Sequence, residues 1–143
     1  MPKLLFFVPC QKVIVDEQEH SASVISIIEG LTAILPTPIP EKAQIPLNWS
    51  IVTLWYQLPE DEGKSFEQRT AVILPNGETA ASAVIPFQMG QQNHRNVVSV
   101  FGYPIAQSGQ HVIRLELREV GDDSREWQLM SEYPLTLAHK AGE

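Results

Sequence analysis

Residues 102–120, GYPIAQSGQHVIRLELREV, decide the fold class, because their second half alternates between apolar and charged side chains. One side of an extended strand would carry the buried set His111, Ile113, Leu115 and Leu117. The other side would carry the charged set Arg114, Glu116 and Arg118. A period of two residues is typical of a strand with one face in the core and one face in water. The segment therefore predicts a half-buried antiparallel sheet, with His111 first in the inward-facing row.

The rest of the chain repeats this pattern of strands and turns, and no segment of useful length has the period of a helix. Asn76-Gly77 predicts a tight hairpin turn, because Gly supplies the positive φ that such a turn needs. The proline-rich residues 36–46 predict a connector between two sheets, since proline lacks the N–H of a ladder. We expect one domain, residues 1–143: an all-β antiparallel sandwich of about 7–9 strands, Greek-key and immunoglobulin-like or C2-like.

Two other strands carry the tryptophans that matter for the core. Residues 47–58, LNWSIVTLWYQL, change their apolar face midway, which indicates either a β-bulge near Val52 and Thr53 or burial of both faces. In residues 125–137, Trp127 has the same parity as Tyr133 and Leu135. We therefore expect both Trp127 and Trp49 to face the core.

Composition and charge exclude several classes of function. The net charge is −7, and the 10 lysines and arginines form no cluster, which argues against nucleic acid and anionic membrane surfaces. No apolar stretch approaches the roughly 20 residues that span a bilayer. Cys10 is the only cysteine, so an intramolecular disulfide cannot form and a reducing cytoplasm is the expected location. We expect Cys10 to be a small buried hydrophobic residue rather than a nucleophile.

Two segments resemble an uncharacterised family of short bacterial proteins. They are KLLFFVPCQKVIVDEQEHSASVISIIEGLTA, with a polar turn before an S-[IV]-[IV] strand, and VVSVFGYPIAQSGQHVIRLEL, with a turn leading into an alternating strand. The resemblance implies a Greek-key β-sandwich with no established activity, and it carries no functional residues over. Ser108-Gly109 departs from the family's Pro-Gly, and His111 stands where the family has an aromatic Tyr.

His111 has two interpretations. In immunoglobulin-like sandwiches, a Tyr near the start of such a strand donates a hydrogen bond back to the preceding corner. An imidazole N–H can do the same, so we predict a structural bond to a carbonyl among residues 105–107. The alternative is a catalytic role for His111.

Acidic loops offer a candidate metal site. If the strands after Leu47 alternate in direction, three loops meet at one end of the sandwich and gather Glu60, Asp61, Glu62, Asp122 and Asp123. Asn93 and His94 would lie between them. Carboxylates from such loops suit calcium, but hairpin turns also favour Asp and Glu for their own geometry. The four histidines show no metal-ligand spacing, and we expect no cofactor.

Four aromatic residues are candidates for an exposed ligand site or interface: Trp55, Tyr56, Phe101 and Tyr103. The leading interpretation is a non-catalytic cytoplasmic interaction or ligand-binding module, not an enzyme, with a homodimer or another protein as its partner. One alternative is a carbohydrate or small-molecule binder on an aromatic sheet face. The other is a metal-dependent enzyme that uses the acidic loops with His94.

Overall fold

In a computed structural model that describes residues 1–35, 39–121 and 126–141, nine strands form two sheets packed face to face. Those residues also hold one short 3-10 helix, Pro59–Asp61, and no helix long and apolar enough to cross a membrane. The strands are β1 (Lys3–Asp16), β2 (Ser21–Ile27), β3 (Gly30–Leu35), β4 (Gln44–Tyr56), β5 (Ser65–Ile73), β6 (Thr79–Gln88), β7 (Asn93–Pro104), β8 (Gly109–Glu119) and β9 (Gln128–Ala141).

The first sheet has the order β2-β1-β4-β7 and the second has the order β3-β9-β8-β5-β6. Neighbouring strands are antiparallel except for β3 and β9, which run parallel. The predicted all-β sandwich is therefore confirmed. The chain passes from β3 in the second sheet to β4 in the first within the predicted proline-rich connector, but β4 begins at Gln44, so residues 44–46 belong to the strand. The hairpin between β5 and β6 turns at Gly77, whose φ is 90°.

The strand order is that of an immunoglobulin-type sandwich. When β1, β4 and β7 are lettered A, B and E, and β5, β8 and β9 are lettered C, F and G, the sheets contain the orders A-B-E and G-F-C. The place beside E that strand D takes in constant-type immunoglobulin domains holds no strand of the described chain. Strand β7 is consequently an edge strand.

The alternation in β8 matches its prediction. The inward row of His111, Ile113, Leu115 and Leu117 is fully buried, and it packs between the two sheets. From the facing sheet, β4 supplies Trp49 to one end of the core and Trp55 to the other. The core therefore has an aromatic side chain from the first sheet at each end.

His111 makes the predicted corner bond. Its Nε2 lies 2.8 Å from the carbonyl oxygen of Gln107, and because a carbonyl only accepts, Nε2 donates. In the neutral ring, Nδ1 then accepts from the Tyr103 hydroxyl, 3.0 Å away. The bond joins the start of strand F to the preceding E–F turn, which is the place of the tyrosine corner in immunoglobulin domains.

The expectation for Trp127 is wrong, because β9 contains a β-bulge. Leu115 pairs with Ser131 but Glu116 pairs with Leu129, so Met130 is the extra residue and the parity of the strand reverses there. Met130 packs into the core, whereas Trp127 lies on the outer face of the second sheet. There its ring stacks against the guanidinium groups of Arg69 and Arg118. Each of these arginines also forms an ion pair with a glutamate.

A buried amide joins the two sheets. The Oε1 of Gln68 on β5 accepts from Thr53 Oγ1 at 2.8 Å, Trp55 Nε1 at 3.0 Å and Asn96 Nδ2 at 2.9 Å. Since an indole N–H can only donate, Trp55 fixes which end of the amide is the oxygen. The Nε2 of Gln68 is buried without a partner among the described residues. The amide thus bridges β5 to β4 and β7.

Strand β4 is buried on both faces. Its pairing with β7 is regular from Asn48 to Tyr56, so the bulge that the sequence allows near Val52 is absent from this described segment. Ile51 and Thr53 face the core between the sheets, yet Val52, which faces outward, is only 2% exposed. Of the two interpretations, burial of both faces is the correct one.

The cover on the outer face is the β1–β2 hairpin. The first half of β1 pairs with β4 and the second half pairs with β2. Val13 and Val24 of this hairpin pack against the outward-facing side chains of Val8, Cys10 and Val52. The hairpin therefore forms a partial third layer over the first sheet.

Replacing His111 with Phe should lower the free energy of unfolding by about 1–3 kcal/mol, because the Tyr103 hydroxyl and the Gln107 carbonyl both lose their buried partner. Chemical denaturation followed by tryptophan fluorescence measures the change. The exposed neighbour Ser108 gives the control, since Ser108→Ala should leave stability unchanged. Equal stability of H111F and wild type would contradict a structural role.

Stability should also fall at alkaline pH because of Tyr103. Burial raises the pKa of its hydroxyl well above the ordinary value of 10.0. At pH values above the ordinary pKa, the Tyr103 hydroxyl loses its proton in the unfolded chain and keeps it in the folded chain, so the free energy of unfolding decreases as pH rises. At pH values below the ordinary pKa, the hydroxyl is neutral in both states and contributes no pH dependence.

The test compares Tyr103→Phe with Tyr56→Phe, whose ring is less buried. The free energy of unfolding is measured from about pH 9 to about pH 11, around the ordinary tyrosine pKa. We expect a shallower alkaline decline in Y103F than in wild type and an unchanged decline in Y56F. Parallel curves for wild type and Y103F would show that Tyr103 does not cause the decline.

Candidate functional site

The candidate site is the open side of the sandwich, where edge strands β6 and β7 face each other from different sheets. Strand β7 pairs with β4 on one side, and no strand of the described chain pairs with its other side. Its outward-facing side chains are Arg95, Val97, Ser99 and Phe101, which are the cross-strand partners of outward-facing residues on β4. The backbone groups along the free side of β7 are therefore available to another strand.

An apolar slot of about 230 Å³ lies between these two edges. Small side chains of β6, including Ala81 and Ala83, form one wall, and Val98 and Val100 of β7 form the other. The slot reaches inward to Trp49 of the core. The open side thus combines an unpaired strand edge with an apolar surface, the two features that strand addition uses.

The four edge strands differ in how well they are protected. Strand β2 contains a left-handed residue, Ser26 with φ of 58°, and β6 contains Pro86. Strand β3 has 6 residues, whereas β7 has 12, with a left-handed Gly102 (φ 89°) and Pro104 only at its end. Kinks, prolines and short length are the usual means of blocking a sheet edge. Residues 93–101 of β7 are consequently the longest edge segment without such a block.

The four aromatic candidates separate into two pairs. Trp55 and Tyr103 are fully buried, so the expectation that they form a ligand or interface surface is wrong for both. Trp55 donates to Gln68, and Tyr103 packs edge-to-face on Trp49 with 5.5 Å between ring centroids. Core packing and a buried polar partner account for both side chains.

The other two aromatic candidates lie on the outer face of the first sheet. Phe101 is 73% exposed, the highest fraction among large hydrophobic side chains of the described residues. Tyr56 is half-buried, and its hydroxyl accepts a hydrogen bond from Gln92 Nε2 at 2.6 Å. Sequence reasoning missed Val97, which is 37% exposed beside Phe101 on the same face of β7. The sequence feature that could have indicated this apolar surface is the uncharged run NVVSVF, residues 96–101.

The acidic loops meet at one end of the sandwich, as the alternation of strands predicts. Gly63 N donates to Met89 O, and Val120 N donates to Ser65 O, which brings three loops together. Among the described candidate carboxylates, only that of Asp61 is buried at this end. Glu60 and Glu62 are exposed, and Asp122 and Asp123 lie outside the described residues.

Asp61 is buried and already has partners. Its Oδ2 accepts from the backbone N–H of Leu58 at 3.1 Å, and its Oδ1 lies 3.1 Å from the amino group of Met1. Within the described ranges, no three His, Cys, Asp or Glu side chains stand close enough together to hold a metal ion. The Asp61 carboxylate therefore acts locally, in closing the loop before β5.

His94 and Cys10 are both held by neighbouring groups. His94 donates from Nε2 to Asn96 Oδ1 at 2.9 Å, and its ring stacks on Phe87 with 4.8 Å between centroids. Cys10 is fully buried, and burial raises the pKa of its thiol. A buried thiol with a raised pKa is a poor nucleophile.

Comparison of the chain with models of known protein families and with curated proteins finds no match. The resemblance to the uncharacterised bacterial family therefore stays a prediction.

Proposed function

We propose that the protein is a non-catalytic interaction module that forms a homodimer through the free edge of β7. The observation that carries this proposal is the unpaired edge of β7 from Asn93 to Phe101, which has no kink or proline, with the exposed Phe101 and Val97 beside it. A second copy of the chain would place its own β7 antiparallel to the first. The two sheets would then join into one continuous eight-stranded sheet across a two-fold axis.

One register of this pairing suits the side chains best. If Ser99 pairs with Ser99 of the second copy on the axis, Val97 of each copy lies opposite Phe101 of the other. Both side chains belong to the outer face, so the pairing creates an apolar row that covers them. On the inner face the same register sets Val98 against Val100, which line the apolar slot. The strand is thus complementary to itself in this register.

Charge also favours β7 as the contact. Each copy carries a net charge of −7, so two copies repel each other over most of their surfaces. From residue 96 to residue 104, β7 contains no charged side chain. Association along this strand brings no like charges into direct opposition.

A non-catalytic role is supported by the state of the reactive side chains. Cys10 is buried and His111 is bonded on both ring nitrogens to Tyr103 and Gln107. His94 is held by Asn96 and Phe87. An active site needs a nucleophile held beside a base, and no two of these three groups are paired with each other in that way. We place the protein in the cytoplasm because its single thiol is buried and unpaired.

Sedimentation equilibrium at high micromolar protein concentration tests the dimer. Wild type should show twice the 16.0 kDa mass of the chain. Val97→Lys should shift the mass to that of a single chain, since a charged side chain on an edge strand is a natural block to pairing. A wild-type protein that stays at the mass of one chain would overturn the proposal.

Val84→Lys is the matched control, because Val84 is 49% exposed on the edge strand β6 and receives the same substitution. V84K should remain dimeric, and equal dissociation of V84K and V97K would locate the contact elsewhere.

Mixing V97K with Phe101→Glu tests the register of the paired β7 strands. Neither variant should form a homodimer, while the mixture should form a heterodimer in which the introduced charges face each other. A mixture without heterodimer would exclude this register.

A further inference from the structure

A second surface lies on the outer face of the first sheet, near the start of β7. There a row of outward-facing side chains crosses three strands. Phe6 of β1 pairs with Leu54 of β4, and Leu54 pairs with Arg95 of β7. Directly paired residues in an antiparallel sheet point to the same side. The row therefore runs from an aromatic ring through an aliphatic side chain to a guanidinium group, all on the outer face.

The β1–β2 hairpin stands over this row and forms a wall. Asp16 Oδ1 accepts from the backbone N–H groups of Gln18 and Glu19, which closes the hairpin turn. His20 follows in a left-handed conformation with φ of 56°. His20, with Ala22 after it, lines a cleft between the hairpin and the outer face of the first sheet.

The cleft has a volume of about 1010 Å³, near the upper end of the range for small-molecule sites. Its apolar lining comes from Phe6, Val24, Val52 and Leu54. Its polar lining comes from His20, Gln91, Gln92, Asn93, His94 and Arg95. The lining thus has an apolar half and a half that contains hydrogen-bond donors.

The charge of the cleft differs from that of the molecule. The chain has 17 acidic residues, and none of those that the structure describes is among the residues lining the cleft. The half-buried Arg95 has no carboxylate within ion-pair distance among the described residues, unlike Arg69 and Arg118, which are paired with glutamates. An unpaired guanidinium beside an apolar surface is suited to a ligand carboxylate, sulfate or phosphate, because its planar fork binds such groups through two hydrogen bonds.

We infer that the cleft binds a small amphipathic organic anion. The anionic group lies against Arg95, and the apolar body lies on Phe6 and Leu54 under the hairpin. The hairpin wall makes the site a cleft rather than a flat surface, which favours a single small molecule over a lipid bilayer as the occupant. This site is independent of pairing through β7, since its lining ends at Arg95 and the dimer contact begins at Asn96.

Two fluorescent probes that differ by one charged group test the inference. The first is 1-anilinonaphthalene-8-sulfonate, and the second is N-phenyl-1-naphthylamine, which has the same rings without the sulfonate. Titration of wild type should give saturable one-to-one binding, with the sulfonate bound about tenfold more tightly than the neutral probe, as a charge-assisted hydrogen bond provides. Equal affinities for the two probes would overturn the inference.

Arg95→Gln should remove the preference for the sulfonate and leave the affinity for the neutral probe unchanged. Arg114→Gln is the matched control, because Arg114 lies on the outer face of the other sheet and is also half-buried. R114Q should bind both probes as wild type does, and equal losses in R95Q and R114Q would point to a general charge effect. Ala22→Trp, which fills the cleft from the hairpin side, should weaken both probes; unchanged binding in A22W would place the probes elsewhere.

Circular dichroism and thermal unfolding of each variant show that the sandwich is intact. Repeating the titrations in V97K separates the cleft from the dimer contact. Unchanged probe affinities in V97K are expected whether or not wild type is a dimer, and lost binding in a folded V97K would contradict an independent site.

Sedimentation of wild type with anionic phospholipid vesicles should leave the protein in solution, and co-sedimentation would show that the anion recognised is a membrane surface.

Discussion

Strand β4 must be covered on both faces, and the arrangement of the other strands depends on this requirement. Its inward residues Trp49 and Ile51 are covered by the second sheet, but its outward residue Val52 is just as buried. A two-layer sandwich covers only one face of each sheet, so the second cover has to come from elsewhere in the chain. The β1–β2 hairpin supplies it through Val13 and Val24. The hairpin covers the outer face of β4, whereas Val97 and Phe101 on the outer face of β7 stay exposed.

The polar groups inside the sandwich limit how the two sheets can sit on each other. Gln68 accepts three hydrogen bonds from the facing sheet, and His111 joins β8 to the turn before it. Burying a donor without an acceptor costs about 1–3 kcal/mol, so a shifted register between the sheets would lose several such bonds together. Apolar contacts alone tolerate sliding much better. The buried polar bonds therefore select one alignment of the sheets, and this alignment sets the width of the open side between β6 and β7.

The sequence predicted those parts of the structure that follow from regular alternation. In β8 the parity is unbroken, so the buried row and the corner role of His111 could be inferred before the fold was known. In β9 one extra residue, Met130, reverses the parity, and a bulge of this kind has no reliable sequence signal; Trp127 was therefore misplaced. Trp55 and Phe101 are both aromatic residues in apolar strands, but Trp55 faces the second sheet, whereas Phe101 lies on the outer face of β7. The strand order that makes β7 an edge could not be inferred from alternation.

The residues that line the cleft could not be predicted from the sequence either, because only the order and folding of the strands bring them together. Phe6, Leu54 and Arg95 come from three strands that are distant in the chain, and His20 comes from a hairpin whose position depends on the cover that β4 needs. Arg95 and Val97 are successive outward residues of β7, about 7 Å apart along the strand. A ligand at Arg95 and a second copy at Val97 would therefore contact neighbouring positions of one strand without sharing a residue, because the cleft lining ends at Arg95.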